Sequence, residues 1–364
     1  MIMKKLGFGC MRLPMNGEEV NYEEFSKMIK YYLDNGFNYF DTAHGYIRGL
    51  SEKAIKDCLT SKYDRNLYTL TNKLTDSYFN SSDDIIPFFK SQLELCGVGY
   101  FDYYLMHAQN RDNYLKFKRC NAYEICNKLK EEGYIKHLGI SFHDTADILD
   151  MILNEHPEIE FVQIQFNYLD YDSDTIESKK CYDVCRRHNK QILIMEPVKG
   201  GKLVNLPKDA DDIIKELNGG SNASYAIRFA ASFEGVFMVL SGMSNMEQME
   251  DNVSFMKDFV PLNDKEFEAL AKIRKIITGE KLIGCTGCEY CLEGCPKHIL
   301  IPNLFKCLNQ HKRSHDWTVD DYYKFSTRDS KASDCIKCGK CERICPQHLN
   351  IRELLEEVSR TFEV

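Results

Sequence analysis

Short apolar runs with the two-residue period of strands alternate along this chain with longer stretches whose apolar positions recur every three or four residues. The strand-like runs fall at 6–10, 37–41, 68–72, 101–106, 135–141, 161–165, 191–196 and 236–241. Helical patterns lie between and after them at 22–35, 51–59, 82–96, 122–132, 145–153, 175–188, 223–233 and 245–256. Eight strand-then-helix units predict an α/β fold, a closed (β/α)8 TIM barrel. A doubly wound open sheet is the alternative. It opens on a glycine-rich turn, and Gly7-Phe8-Gly9 lacks the third glycine of that pattern.

A barrel places its chemistry at the C-terminal ends of its strands. Asp41, Lys73, His107, Ser141, Gln165 and Glu196 all stand at or just past predicted strand ends. One polar residue there means little, but six in phase point to a site. A further helix is predicted at 264–277, after which the character of the sequence changes. We therefore divide the chain into a barrel at 1–279 and a small, mainly helical, ferredoxin-like domain at 280–364.

That change is one of cysteine content. Of 16 cysteines, eight form two runs, Cys285, Cys288, Cys291, Cys295 and Cys335, Cys338, Cys341, Cys345, each followed by proline. The spacing Cys-x2-Cys-x2-Cys-x3-Cys-Pro suits two [4Fe–4S] clusters, with the fourth cysteine of each run ligating the other cluster. Zinc is the competing reading. Its tetrahedral sites draw on two Cys-x2-Cys pairs and have no use for the remaining steps. The other eight (Cys10, Cys58, Cys96, Cys120, Cys126, Cys181, Cys185, Cys307) are scattered and read as small buried apolar residues. Free thiols on this scale, with no recognisable export signal, suggest a reducing cytoplasm. A net charge of −8 speaks against nucleic acid or an anionic membrane as partner, and no apolar run is long enough to span a bilayer.

The segment Asp41-Thr42-Ala43-His44-Gly45-Tyr46 resembles a signature of the aldo-keto reductase family. The resemblance continues through Thr71-Asn72-Lys73, Leu105-Met106-His107, Gly139-Ile140-Ser141, 163–168, and Ser241-Gly242 with Asn252. Together with the cysteine runs, it points to an iron–sulfur branch of that family. It implies a catalytic set of Asp41, Tyr46, Lys73 and His107, with Tyr46 as acid, Lys73 and Asp41 tuning it, and His107 orienting the carbonyl. It also implies an NADPH or NADH site. Gly9, Cys10, Met11 and Asp41 border it, and Ser141, Gln165 and Met195 lie at the nicotinamide. Pro197, Val198, Lys199, Gly201 and Leu203 run along the pyrophosphate; Gly242, Ser244, Gln248 and Asn252 lie at the adenosine end. Four positions depart from the family pattern. Phe142 replaces an asparagine, Met195 a residue that is often aromatic, and Gly242 and Gln248 occupy slots where many members place cations.

The implied activity is reduction of a small aldehyde or ketone by hydride transfer, with two [4Fe–4S] clusters in a structural, sensing or electron-transfer role. Two alternatives stay open at this level. One is a redox-sensing, cofactor-binding regulatory protein. The other is a reductase fed through its clusters by a redox partner protein such as a ferredoxin.

Overall fold

The structure, a computed structural model, describes residues 4–279, 282–314, 317–327 and 330–363. Eight parallel strands close into a barrel: β1 Leu6–Gly9, β2 Tyr39–Asp41, β3 Thr69–Leu74, β4 Phe101–Gln109, β5 Ile135–Phe142, β6 Phe161–Gln165, β7 Gln191–Met195 and β8 Val236–Ser241. Neighbours in sequence pair throughout, and β8 returns to β1 with Leu6 opposite Val239. The barrel interior is filled by Tyr39, Leu105, Phe161, Leu193, Met238 and Leu240, each contributed by an inward-facing strand position. Gly139 on β5 is there for space. A Cβ at that position would lie 2.5 Å from the Phe161 ring.

Strand register then carries the site residues upward out of this core. Asp41 pairs with Thr71, and Lys73, two residues on, projects from the same face. Lys73 in turn pairs with Leu105, and His107 lies two residues beyond it. The period of two that buries Tyr39 and Leu105 thus brings Asp41, Lys73 and His107 to the C-terminal mouth.

The amphipathic helices fall close to their expected places, with additions that periodicity alone does not reveal. Helix Arg111–Arg119 buries only Tyr114 and Phe117. Its start is set instead by Asn110, whose side chain accepts from the Asp112 and Asn113 amides. Helix Lys208–Leu217 and a two-stranded turn, Met15–Asn16 with Glu19–Val20, are likewise additions to the sequence expectation. All eight scattered cysteines are buried, as their reading as apolar filler requires. Among the described residues no helix is long and apolar enough to cross a membrane.

The chain separates into two compact units, Met1–Val198 with Asp212–Ala271, and Lys199–Asp211 with Lys272–Val364. The second unit begins somewhat before the expected boundary at 280, and it also takes in a loop from within the barrel sequence. Its two cysteine segments repeat each other at a distance of fifty residues. Left-handed backbone occurs at Gly287 and Lys337 (φ 65° and 57°), Glu289 and Gly339 (66° and 72°), and His298 and His348 (52° and 50°). Short helices Tyr290–Glu293 and Lys340–Arg343 follow the same spacing, as do the longer helices that begin at Ile301 and Ile351. Ile301, Leu304, Phe305, Ile351, Leu355 and Val358 from those longer helices build the unit's core.

Candidate functional site

At the barrel mouth, the Lys73 ammonium is completely buried and donates to Asp41 Oδ1 at 2.7 Å and to the Thr42 carbonyl at 2.8 Å. Burial pushes the Lys73 ammonium below its usual range and the Asp41 carboxyl above its own, and the attraction between them opposes both shifts. The Tyr46 ring lies over this cation, with Nζ 4.9 Å from the ring centroid. His107 stands edge-on to the same ring at 6.1 Å. All four residues of the expected catalytic set therefore meet in one place.

His107 is held by a partner that sequence reasoning missed. Thr75 Oγ lies 2.7 Å from His107 Nδ1. Burial, then the nearby Lys73 charge, holds the imidazole well below its ordinary pKa. In the neutral ring, a hydroxyl donating to Nδ1 leaves Nε2 as the donor nitrogen. A second missed group braces the strand that bears Lys73. Buried Glu52 accepts from Asn72 Nδ2 at 2.8 Å and pairs with His44 Nδ1 at 2.7 Å. Gln92 Nε2 donates to the Lys73 carbonyl at 3.0 Å, and Tyr104 donates to Gln92. The only sequence trace of this network was a set of polar residues on otherwise apolar faces.

The expected cofactor residues differ in what their side chains do. Ser141 Oγ accepts from the Ala108 amide at 2.7 Å. Gln165 Nε2 donates to buried Asp170 at 2.7 Å, which fixes the direction of its amide. Gly9 is buried, Cys10 points its thiol at the Phe8 carbonyl, and burial pushes that thiol up. Met11 and Met195 are partly exposed, whereas Phe142 is buried. Pro197 and Val198 end the barrel unit, and Lys199, Gly201 and Leu203 belong to the second unit. Lys199 donates to Gln347 and Leu203 is fully buried. Near β8, Asn252 donates to Ser241 at 2.7 Å, and Gln248 accepts from the Ser244 amide at 2.8 Å. A cation that the sequence comparison overlooked stands beside Gly242: the Arg12 side chain passes 3.4 Å from where a side chain on Gly242 would begin. Ser244 Oγ donates to the Arg12 carbonyl. One acceptor is left over. Asp41 Oδ2 is buried and has no hydrogen-bond donor among the described residues, which suits a ligand hydroxyl.

In the second unit the cysteines sort by pocket rather than by run. Cys285, Cys288, Cys291 and Cys345 line one small pocket. Cys295, Cys335, Cys338 and Cys341 line another. Among the described residues no three side chains of metal-binding type converge as a single ion requires. Four thiols spread round a shared cavity fit a cubane cluster, which separates its ligands more widely than one zinc ion does.

Comparison with known proteins gives two family matches, the aldo/keto reductase family over residues 5–275 and a 4Fe-4S dicluster domain over residues 284–350. An uncharacterised oxidoreductase of Bacillus subtilis, YqkF, is 23% identical over 297 residues, covering 74% of this chain and 92% of its own. Protein REDOX 2 of Catharanthus roseus is 22% identical over 276 residues, covering 69% of this chain and 80% of its own. Among solved structures, the holo form of the Bacillus halodurans aldo-keto reductase AKR11C1 aligns with a TM-score of 0.60 at 23% identity, over 74% of this chain and 91% of its own. A Klebsiella pneumoniae aldo-keto reductase in complex with NADPH aligns with the same TM-score of 0.60 at 18% identity, over 75% of this chain and 96% of its own.

Proposed function

The chain belongs to the aldo/keto reductase family and carries a 4Fe-4S dicluster domain, and from that premise we propose that it reduces a small aldehyde or ketone with NADPH or NADH. The observation that carries this reading is the buried Asp41–Lys73 pair beneath the Tyr46 ring. A tyrosine, with an ordinary pKa near 10, is a sluggish acid at neutral pH. A cation under its ring favours the phenolate that remains when the proton leaves, and Asp41 keeps that cation in place. The neutral His107 offers Nε2–H to the carbonyl oxygen and polarises it. When bound, the reduced nicotinamide supplies the hydride that the carbonyl carbon receives. Tyr46 delivers the proton to the oxygen, and hydride, proton and carbonyl together make the alcohol. Asp41 Oδ2 would accept from a ribose hydroxyl, and Gln165, oriented by Asp170, would bond the carboxamide.

Cys285, Cys288, Cys291 and Cys345 would hold one [4Fe–4S] cluster, and Cys295, Cys335, Cys338 and Cys341 the other. Such clusters exchange single electrons. Hydride and proton already balance the reduction, so the clusters stand outside it.

The direct test is anaerobically purified protein assayed with a panel of aldehydes, ketones and quinones, following NADPH consumption by absorbance. Turnover with at least one carbonyl class is expected, and none across the panel would overturn the reading. Two finer outcomes are expected in the same assay. Because His107 stays neutral, kcat/KM has no inflection near 6.5, the ordinary imidazole value. An inflection there that vanishes in His107→Gln would contradict this. For stability the sign is fixed: the unfolded imidazole takes up a proton that the folded one refuses. The stability this provides is intact above about 6.5 and is lost as pH falls below it. The Arg12 guanidinium is assigned to a cofactor phosphate, in place of the cations missing at Gly242 and Gln248. Arg12→Ala should then raise the NADPH KM about tenfold, the scale of a lost charge-assisted bond, and the NADH KM less. Equal changes for both nucleotides would remove Arg12 from that role.

A further inference from the structure

The loop following β7 is built into the cluster unit. Lys199–Asp211 forms a compact body with Lys272–Val364 rather than with the rest of the barrel sequence. Two anchors hold its start. The buried Lys199 Nζ donates to Gln347 Oε1 at 2.8 Å. Gly200, with φ of 61°, presses so closely on Thr286 that a Cβ would stand 2.4 Å from the Thr286 carbonyl oxygen. Left-handed backbone and that clearance together demand glycine here. Thr286 and Gln347 are both buried, and both line the pocket of Cys285, Cys288, Cys291 and Cys345.

Thr286 directly follows Cys285, and Gln347 comes two residues after Cys345. The anchors therefore sit on opposite cysteine runs. Cys285 and Cys345 line the same pocket, so a cluster held there would fix the spacing of the two anchors. A cluster with four thiolates would also carry net negative charge, which favours a cation such as Lys199 on the neighbouring Gln347. Lys199, Gly201 and Leu203 of the expected pyrophosphate stretch belong to this loop.

We propose that Thr286 and Gln347 are positioning residues for the nucleotide loop, so that the cluster in the Cys285/Cys288/Cys291/Cys345 pocket governs nucleotide affinity. This rests on the reading of 197–203 as the stretch that runs along the cofactor pyrophosphate. The cluster acts here as a clasp. Its loss frees Lys199–Asp211 and weakens nucleotide binding, with no electron passed to substrate.

The test compares anaerobically purified, cluster-filled protein with the same protein after iron chelation. Hydrogen exchange is read peptide by peptide, and NADPH affinity from the fluorescence of the bound nucleotide. Exchange in 199–211 is expected to accelerate on iron removal while β4 stays protected, and the NADPH dissociation constant to rise about tenfold, within the usual range of coupling between sites. Gln347→Leu and Gly200→Ala, made in protein that keeps its full iron content, should both move these readouts in the same direction. They guard against general unfolding of the iron-free protein. Unchanged exchange in 199–211 after iron removal and in both variants overturns the proposal, as does NADPH affinity indifferent to iron. Failure of cluster-filled wild type to bind either nucleotide would instead overturn the nucleotide reading itself.

Discussion

Tyr46→Phe is expected to lower kcat for carbonyl reduction about a thousandfold, within the range contributed by a positioned general acid, with nucleotide binding retained. Tyr46 is 8% exposed and its ring covers the Lys73 ammonium. Phenylalanine keeps the ring, the burial and the cation contact, and removes the hydroxyl that carries the transferable proton. The change should therefore cost far less in melting temperature than loss of the Lys73 cation. Lys73→Met makes the informative contrast. It too should abolish turnover, but it also leaves the Asp41 carboxylate buried without its ion partner. Breaking such a pair costs about 3–5 kcal/mol, which thermal unfolding would register at once. Steady-state kinetics and melting curves on the two variants separate chemistry from folding. More than a tenth of wild-type kcat in Tyr46→Phe would remove Tyr46 from the role of acid.

The second large effect concerns the cysteines, and it turns on pockets rather than runs. Cys345 shares a run with Cys335 but a pocket with Cys285. The double change Cys285→Ala with Cys345→Ala should empty one pocket and leave about four of eight irons. Cys335→Ala with Cys345→Ala damages both pockets and should remove nearly all the iron. Alanine is chosen because a serine oxygen can substitute as a ligand. Iron and sulfide counts, with the visible absorption of the clusters, read the result. If each run served its own cluster, the two outcomes would be exchanged. The protein lacking both clusters should also lose the protection of the helices built on Ile301 and Ile351, because metal binding and folding are coupled in so small a core.

Much of this could be read along the chain because it is local. Alternating two-residue and three-to-four-residue periods are properties of neighbouring residues, and they placed the eight strands and most of the helices. Cysteine spacing is local as well, since each run of four thiols falls within eleven residues. Even the proposed catalytic residues could be picked out one strand at a time, because Asp41, Lys73 and His107 lie at or near the C-terminal ends of successive strands. Helix Arg111–Arg119 escaped for the same reason in reverse. Its signal is a capping asparagine, and its apolar face is only two buried rings wide.

Proximity across the chain was a different matter. Barrel closure and register set Lys73 at 2.7 Å from Asp41, brought Thr75 to His107, and laid Arg12 beside Gly242. Packing of a barrel loop into the cluster unit joined Lys199 to Gln347, 148 positions away. The residue types in these pairs are written in the sequence. Which of them meet depends on how whole strands and helices pack, and no local pattern encodes that.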